Sequence, residues 1–173
     1  SFCNSLVHIT IPSSVTFIER RTFSSCLSLK EIIIPSSVRV IEERAFSSCE
    51  SLVNVSLPMT IEKLGDGCFE NCSSLKTLKI PTSLMMINTL TFSSCTSLVK
   101  ITIPQNVVAI KDYAFFGCTS LVEVDMPKSL KSIGEKAFYN CCSLTNFTVP
   151  ASIVSISSEA FFGCKTNPQT FNK

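Results

Sequence analysis

Residues 95–117 read CTSLVKITIPQNVVAIKDYAFFG, and residues 118–140 read CTSLVEVDMPKSLKSIGEKAFYN. Laid one over the other, the two segments share cysteine, serine, leucine, proline and phenylalanine at matching places, with no residue inserted or lost. The register extends outward from this pair in both directions. Cysteine recurs at Cys3, Cys26, Cys49, Cys72, Cys95, Cys118, Cys141 and Cys164, always 23 residues apart. Proline keeps the same interval from Pro12 to Pro150, and phenylalanine from Phe23 to Phe161. Seven full units begin at Cys3, Cys26, Cys49, Cys72, Cys95, Cys118 and Cys141, with the pattern C-x-S-L-x-x-φ-x-φ-P-x-x-φ-x-x-φ-x-x-x-x-F-x-x, φ being apolar. Loops of ordinary globular folds drift in length, so an unvarying period points to a solenoid in which equivalent residues stack into columns.

Within a unit, Leu98-Val-Lys-Ile-Thr-Ile103 ends in an apolar–polar alternation that predicts a short strand with one buried face. Stacked coils pair such strands in parallel, about 4.8 Å apart. The following proline has no N–H to give a ladder and ends the strand. Val107 and Ile110 then turn inward, and Phe115 enters the core from the opposite wall. That wall is expected to consist of short bridges and single 3₁₀ or helical turns, since the interval is too brief for a longer helix.

The L-x-x-φ-x-φ segments, such as Leu6-x-x-Ile9-x-Ile11 and Leu75-x-x-Leu78-x-Ile80, resemble the strand signature of leucine-rich repeats. The 23-residue unit, the I-P after the strand, V-x-x-I and A-F-x-x-C-x-S-L resemble the BspA-like, or Treponema pallidum-type, subclass. The resemblance covers residues 1 to about 165. It implies a mainly β, right-handed leucine-rich-repeat solenoid with a parallel sheet on the concave side and short turns on the convex side. It also implies a non-catalytic protein- or glycan-binding module, of the kind found in large surface proteins of bacteria and anaerobic protists and linked to adhesion. A structural spacer that self-associates, or a regulatory repeat region beside another domain, are the alternatives. The chain lacks an initiator methionine, starts within a unit and loses the repeat after Cys164. The expectation is a fragment of a longer array, with a solenoid over 1–164, a non-repeat tail or cap remnant over 165–173, and end-to-end pairing through an uncapped coil.

Composition narrows the chemistry. The net charge of +2 and the scattered lysines give no basic face for nucleic acid. The longest apolar runs are four residues, as in 107–110, so no membrane-inserting segment is expected. A single histidine, His8, and five glycines without a phosphate-binding motif leave no triad and no nucleotide loop, and neither enzyme activity nor a cofactor is expected.

One cysteine per coil gives each thiol two near neighbours, too few for a zinc site. Adjacent coils bring cysteines within bridging distance, yet parallel side chains suit the disulfide dihedral poorly. Buried thiols packing as small apolar groups are the favoured reading. Cys68, beside Phe69, belongs to the packing; Cys142 faces solvent and is the candidate for a reactive thiol. Reduced thiols argue for a cytoplasmic setting, whereas the family resemblance argues for the cell surface, so the compartment stays open. Sequons at Asn54, Asn71 and Asn146 are read as chance in a chain rich in serine and threonine.

The solvent side of the predicted strands carries the residues that the repeat leaves free. One column runs His8, Glu31, Asn54, Thr77, Lys100, Glu123, Asn146; the next runs Thr10, Ile33, Ser56, Lys79, Thr102, Asp125, Thr148. The candidate partner-binding residues are Glu31, Asn54, Thr77, Lys79, Lys100, Thr102, Glu123 and Asp125, with a positive spot at Lys79 and Lys100 and a negative one at Glu123 and Asp125. A solvated face of cross-strand charge pairs is the competing reading. A second candidate is an aromatic stripe, Phe116, Tyr139 and Phe162, which either docks a partner or covers its own coils.

Overall fold

A computed structural model describes residues 3–166; the two terminal segments, with most of the 165–173 tail, lie outside the described residues. The chain is a parallel-strand solenoid. Coils one to seven begin at Cys3, Cys26, Cys49, Cys72, Cys95, Cys118 and Cys141. Its strands are β1 (Phe17–Ile18), β2 (Glu31–Ile33), β3 (Val40–Ile41), β4 (Asn54–Ser56), β5 (Lys63–Leu64), β6 (Met86–Ile87), β7 (Lys100–Thr102), β8 (Ala109–Ile110), β9 (Glu123–Asp125), β10 (Ser132–Ile133), β11 (Asn146–Phe147) and β12 (Ser155–Ile156). All pair in parallel, and each residue faces its equivalent 23 positions on, as Lys100 faces Glu123.

The strands form two columns. The first, from the L-x-x-φ-x-φ segments, contains the sheets β2-β4 and β7-β9-β11. The second comes from V-x-x-I and contains β1-β3-β5 and β6-β8-β10-β12. The sequence announced only inward side chains here; two residues per coil are too few for an alternation to be visible. Proline separates the columns and closes a turn: Val38 N–H donates to Pro35 at 3.0 Å, and Val107 to Pro104 at 3.0 Å. Serine beyond the proline stitches adjacent coils, Ser37 donating to the Val15 carbonyl and Ser129 to that of Val107, both at 2.7 Å.

On the third side, where single 3₁₀ or helical turns are expected, the described residues hold neither a helix nor a 3₁₀ segment. Hydrogen-bonded turns follow one another instead, and alternate amides point different ways. Arg21, Phe23 and Ser25 donate to Glu43, Ala45 and Ser47 of the next coil at 3.1, 2.8 and 2.8 Å. Thr22, Ser24 and Cys26 donate three residues back at 3.3, 3.1 and 3.2 Å. A positive φ at Arg21 (57°) and again at Ser25 (60°) breaks any helix, and the same two places are left-handed in later coils. The backbone of this wall is thus satisfied without regular structure.

Each coil contributes the same side chains to one core. Leu29, Leu52, Leu75, Leu98, Leu121 and Leu144 are fully buried. The core phenylalanines stack from Phe23 to Phe161 with centroids 5.0–5.8 Å apart and planes within 14° of parallel. The cysteine column lies beside them. Each thiol from Cys49 to Cys164 donates to the carbonyl of the phenylalanine 26 residues earlier, as Cys49 does to Phe23 at 3.0 Å and Cys95 to Phe69 at 3.2 Å. The periodic cysteine is therefore a small apolar residue that also bonds neighbouring coils, a role that its spacing alone did not reveal. Burial pushes the Cys49 and Cys118 thiols up to about 12. Cys68 is buried, and Cys142 is exposed.

Candidate functional site

The first strand column sends alternate side chains outward because each strand has a period of two. In β2, β4, β7 and β9 the outer residues are Glu31 and Ile33, Asn54 and Ser56, Lys100 and Thr102, and Glu123 and Asp125. Thr77 and Lys79 are exposed in the same columns, although residues 77–79 form no strand. All eight residues predicted for the partner-binding face therefore lie on one side of the solenoid.

Their electrostatics differ from two separate charge spots. The parallel register sets Lys100 opposite Glu123, and its Nζ lies 2.6 Å from Glu123 Oε1 and 3.5 Å from Asp125 Oδ2. Thr102 donates to Asp125 at 2.9 Å. The hydrogen bond to Glu123 raises the Lys100 ammonium above its ordinary pKa. Farther along, His8 Nδ1 lies 3.5 Å from Glu31. Lys79 has no ion-pair partner among the described residues. Ile33, 73% exposed, stands out as an apolar side chain on an otherwise polar face. Its place in the column follows from the period, and its apolar type between Thr10 and Ser56 is the sequence signal that sets it apart.

Two hollows flank Lys79. One of about 520 Å³ is lined by Leu78, Ile80, Lys100, Thr102 and Pro104. The other, about 310 Å³, lies against Ile33, Asn54 and Ser56. Both are open and shallow, suited to side chains of a partner more than to an enclosed small molecule. No group of three or more metal-ligating side chains occurs among the described residues, and no helix there is long and apolar enough to cross a membrane.

The aromatic stripe lies on the turn side. Phe116 stacks on Tyr139 at 5.4 Å, and Tyr139 on Phe162 at 5.2 Å. Tyr113 joins at 5.8 Å from Phe116, and Lys136 Nζ sits 5.8 Å from both tyrosine rings. Glu159 holds the other side of Lys136 at 3.3 Å. Phe116 and Tyr139 are half-buried by their own coils, while Phe162 is 58% exposed. Equivalent places in earlier coils hold Ser24, Ser47, Glu70 and Ser93, where Arg44 pairs with Glu70 at 3.1 Å.

Comparison with known proteins agrees with this architecture. A leucine-rich repeat protein of T. pallidum superposes with a TM-score of 0.78 and 34% identity, over 82% of this chain and 66% of that one. One from Eubacterium ventriosum gives 0.84 and 31%, over 91% of this chain and 42% of that one. A leucine-rich cell surface protein from Faecalibacterium prausnitzii, at 23% identity and 0.54 over 87% of this chain and 60% of that one, shares the fold. The chain thus spans less than two thirds of each of these structures. No curated protein matches it. The family described as BspA type leucine-rich repeat region (6 copies) matches residues 1–107 and 85–171. Periodicity, parallel columns and family match converge: this chain belongs to the BspA-type leucine-rich repeats.

Proposed function

We propose that the outer face of the first strand column binds a partner protein, and that the chain acts as a non-catalytic recognition module. The observation that carries this reading is the contrast between adjacent columns. Inward positions repeat apolar residues in coil after coil, leucine without exception at the first and mostly isoleucine, leucine or valine at the next two, whereas the outward ones carry charge, hydroxyl, amide and one exposed isoleucine in a non-repeating order. Packing constrains the first set and leaves the second free to be selected for recognition. Lys79 and Ile33, on either side of the smaller hollow, supply an unpaired cation and an apolar anchor, a combination that suits an acidic segment with an apolar residue beside it. Adhesion is the biological setting that the family resemblance implies, and a glycan ligand is the variant of this proposal that would use the hydroxyl and carboxylate groups instead.

The test is capture of partners from host surface extract on immobilised protein. Replacing Lys79 by Glu together with Ile33 by Asp is expected to lower capture at least tenfold, while Phe162→Ser on the turn side leaves it unchanged. Undiminished capture by the double variant would remove this face from consideration. Loss of capture after deglycosylating the extract would assign the ligand to the glycan class.

A further inference from the structure

The strand columns stop at one place. Of the four sheets, β1-β3-β5 and β2-β4 lie in coils one to three, and β6-β8-β10-β12 and β7-β9-β11 lie in coils four to seven. No strand pair crosses from coil three to coil four. In the first column, Ile34 donates to Ser56 at 3.0 Å and Ile103 to Asp125 at 2.9 Å, but Leu57 to Lys79 and Ile80 to Thr102, the equivalent links, are not made. Among the described residues, no protein group hydrogen-bonds the backbone of residues 77–80. In the second column, the N–H of Glu42, Gly65, Lys111, Gly134 and Ser157 each donates to the preceding coil at 2.7–3.0 Å. At the equivalent place in coil four the Asn88 side-chain amide takes the Leu64 carbonyl instead, at 2.6 Å.

The turn side crosses this seam intact. Gly67, Phe69 and Asn71 donate to Thr89, Thr91 and Ser93 at 2.8, 2.9 and 2.8 Å. The Phe69–Phe92 stack is preserved, although its 5.8 Å spacing is the widest of the series. Two stacks of coils therefore share a continuous backbone ladder along the turn edge only; on the strand side the seam is crossed by side-chain bonds, Ser83 to the Ile61 carbonyl and Asn88 to the Leu64 carbonyl, with Ser74 N–H donating to Glu50 at 3.2 Å at the start of the coil.

We propose that this seam is a hinge: coils one to three and coils four to seven move as two rigid stacks about the turn column, and the strand face gapes between Ser56 and Thr102. Asn88 is the positioning residue. By occupying the Leu64 carbonyl it displaces the backbone bond that closes the second column in the other coils. Thr77 and Lys79 are exposed while Leu78 and Ile80 stay in the core, and without backbone bonds this segment opens at lower cost than paired strands, which open only with their whole stack. The seam lies in mid-array and coil four keeps every apolar landmark of the repeat, so the gap belongs to this coil and not to fraying at a terminus.

Spin labels on noncanonical side chains at Ser56 and Thr102, two coils apart across the seam, test the idea on the full chain. A control pair at Thr102 and Thr148 is also two coils apart but within one stack. The Ser56–Thr102 distance distribution is expected to be at least twice as broad as the control, and Asn88→Gly, which frees the Leu64 carbonyl for the backbone, is expected to narrow it without changing the control. Equal widths in the parent protein would overturn the hinge, and an unchanged width in the folded variant would overturn the role of Asn88. Amide exchange needs no variant: Leu78 and Ile80 are expected to exchange at least tenfold faster than Ile103, and equal protection would also overturn the proposal.

Discussion

The turn side and the strand side of this solenoid solve the same problem with different tolerance. Both must satisfy backbone groups while stacking one coil on the next. The turn side does so in every coil, through alternate amides, stacked phenylalanines and cysteine thiols, and it remains unbroken between coils three and four. The strand side uses segments of two or three residues and loses its pairing at that seam. Cohesion of the array thus resides with the turns and the core behind them, and variation is admitted on the strands. That division suits a recognition module, whose binding face must change without loss of fold.

Alkaline pH should produce the largest effect, because it attacks the cysteine column directly. The ordinary thiol value is 9.0, and burial raises Cys49 and Cys118 to about 12. Burial also raises Cys72 and Cys95. The sign follows from proton binding. Below pH 9 the thiols are protonated in both states and their packing is fully retained. Above it the unfolded chain releases protons that the folded chain keeps, so stability falls as pH rises from 9 toward 12. Each such thiol weakens folding tenfold per pH unit. Chemical denaturation midpoints are expected to drop steeply over this range, and a Cys49→Ala/Cys118→Ala variant should show a shallower drop. A flat profile up to pH 11 would show that the column is not buried.

Phe92→Ala removes one ring from the middle of the stack, in coil four, which has no strand pair to coil three. The expected loss is about 3–5 kcal/mol, read from denaturant unfolding with an unchanged baseline for the folded state. Phe69 and Phe115 lose their stacking partner together, and no strand pair between coils three and four compensates. A cost under about 1 kcal/mol would mean that the turn side does not carry the array.

Much of this division was legible in the residues. The 23-residue period, the inward leucines and phenylalanines, the buried Cys68 and the exposed Cys142 follow from pattern and chemistry, and so does the outward set from Glu31 to Asp125. The kind of turn is hard to read in sequence because one of the two left-handed columns has no shared residue type: Arg21, Arg44, Gly67, Leu90, Tyr113 and Lys136. The other did carry a signal. Ser25, Ser48, Asn71, Ser94, Gly117, Asn140 and Gly163 are all small or turn-forming, with glycine and asparagine among them. The seam was invisible to periodicity, since Leu75, Leu78, Ile80, Pro81, Leu84, Ile87 and Phe92 keep the pattern in full. The pairing of Lys100 with Glu123 and Asp125 required the strand register, which the period implies once strands are known to be parallel.

Gly117→Ala measures what the left-handed position demands by itself. Gly117 has φ of 67°, and a Cβ there would meet nothing closer than Ser94 Oγ at 3.6 Å. Space is available, so the cost is conformational, about 1–2 kcal/mol. Gly117→Asn is expected to cost less, because Asn71 and Asn140 occupy the same place at φ of 58° and 56°. Equal costs for both substitutions would show that the turn side tolerates this position through contacts and not through φ.

The smallest effect is expected from Lys100→Ala on the strand face, and it separates structural from recognition roles. Lys100 makes two ion pairs, yet its side chain is 48% exposed and its partners are 31% and 50% exposed. Solvent screens such pairs, so the loss of stability should stay within the error of a denaturant-unfolding measurement and vanish in high salt. The substitution also leaves Glu123 and Asp125 without their cation and makes this end of the face acidic. Binding should therefore respond far more than stability: an acidic partner is expected to associate more slowly, with the difference disappearing at high ionic strength. A destabilisation as large as that of Phe92→Ala would mean that the strand side holds the coils together as firmly as the turns do, and the contrast between the two sides would collapse.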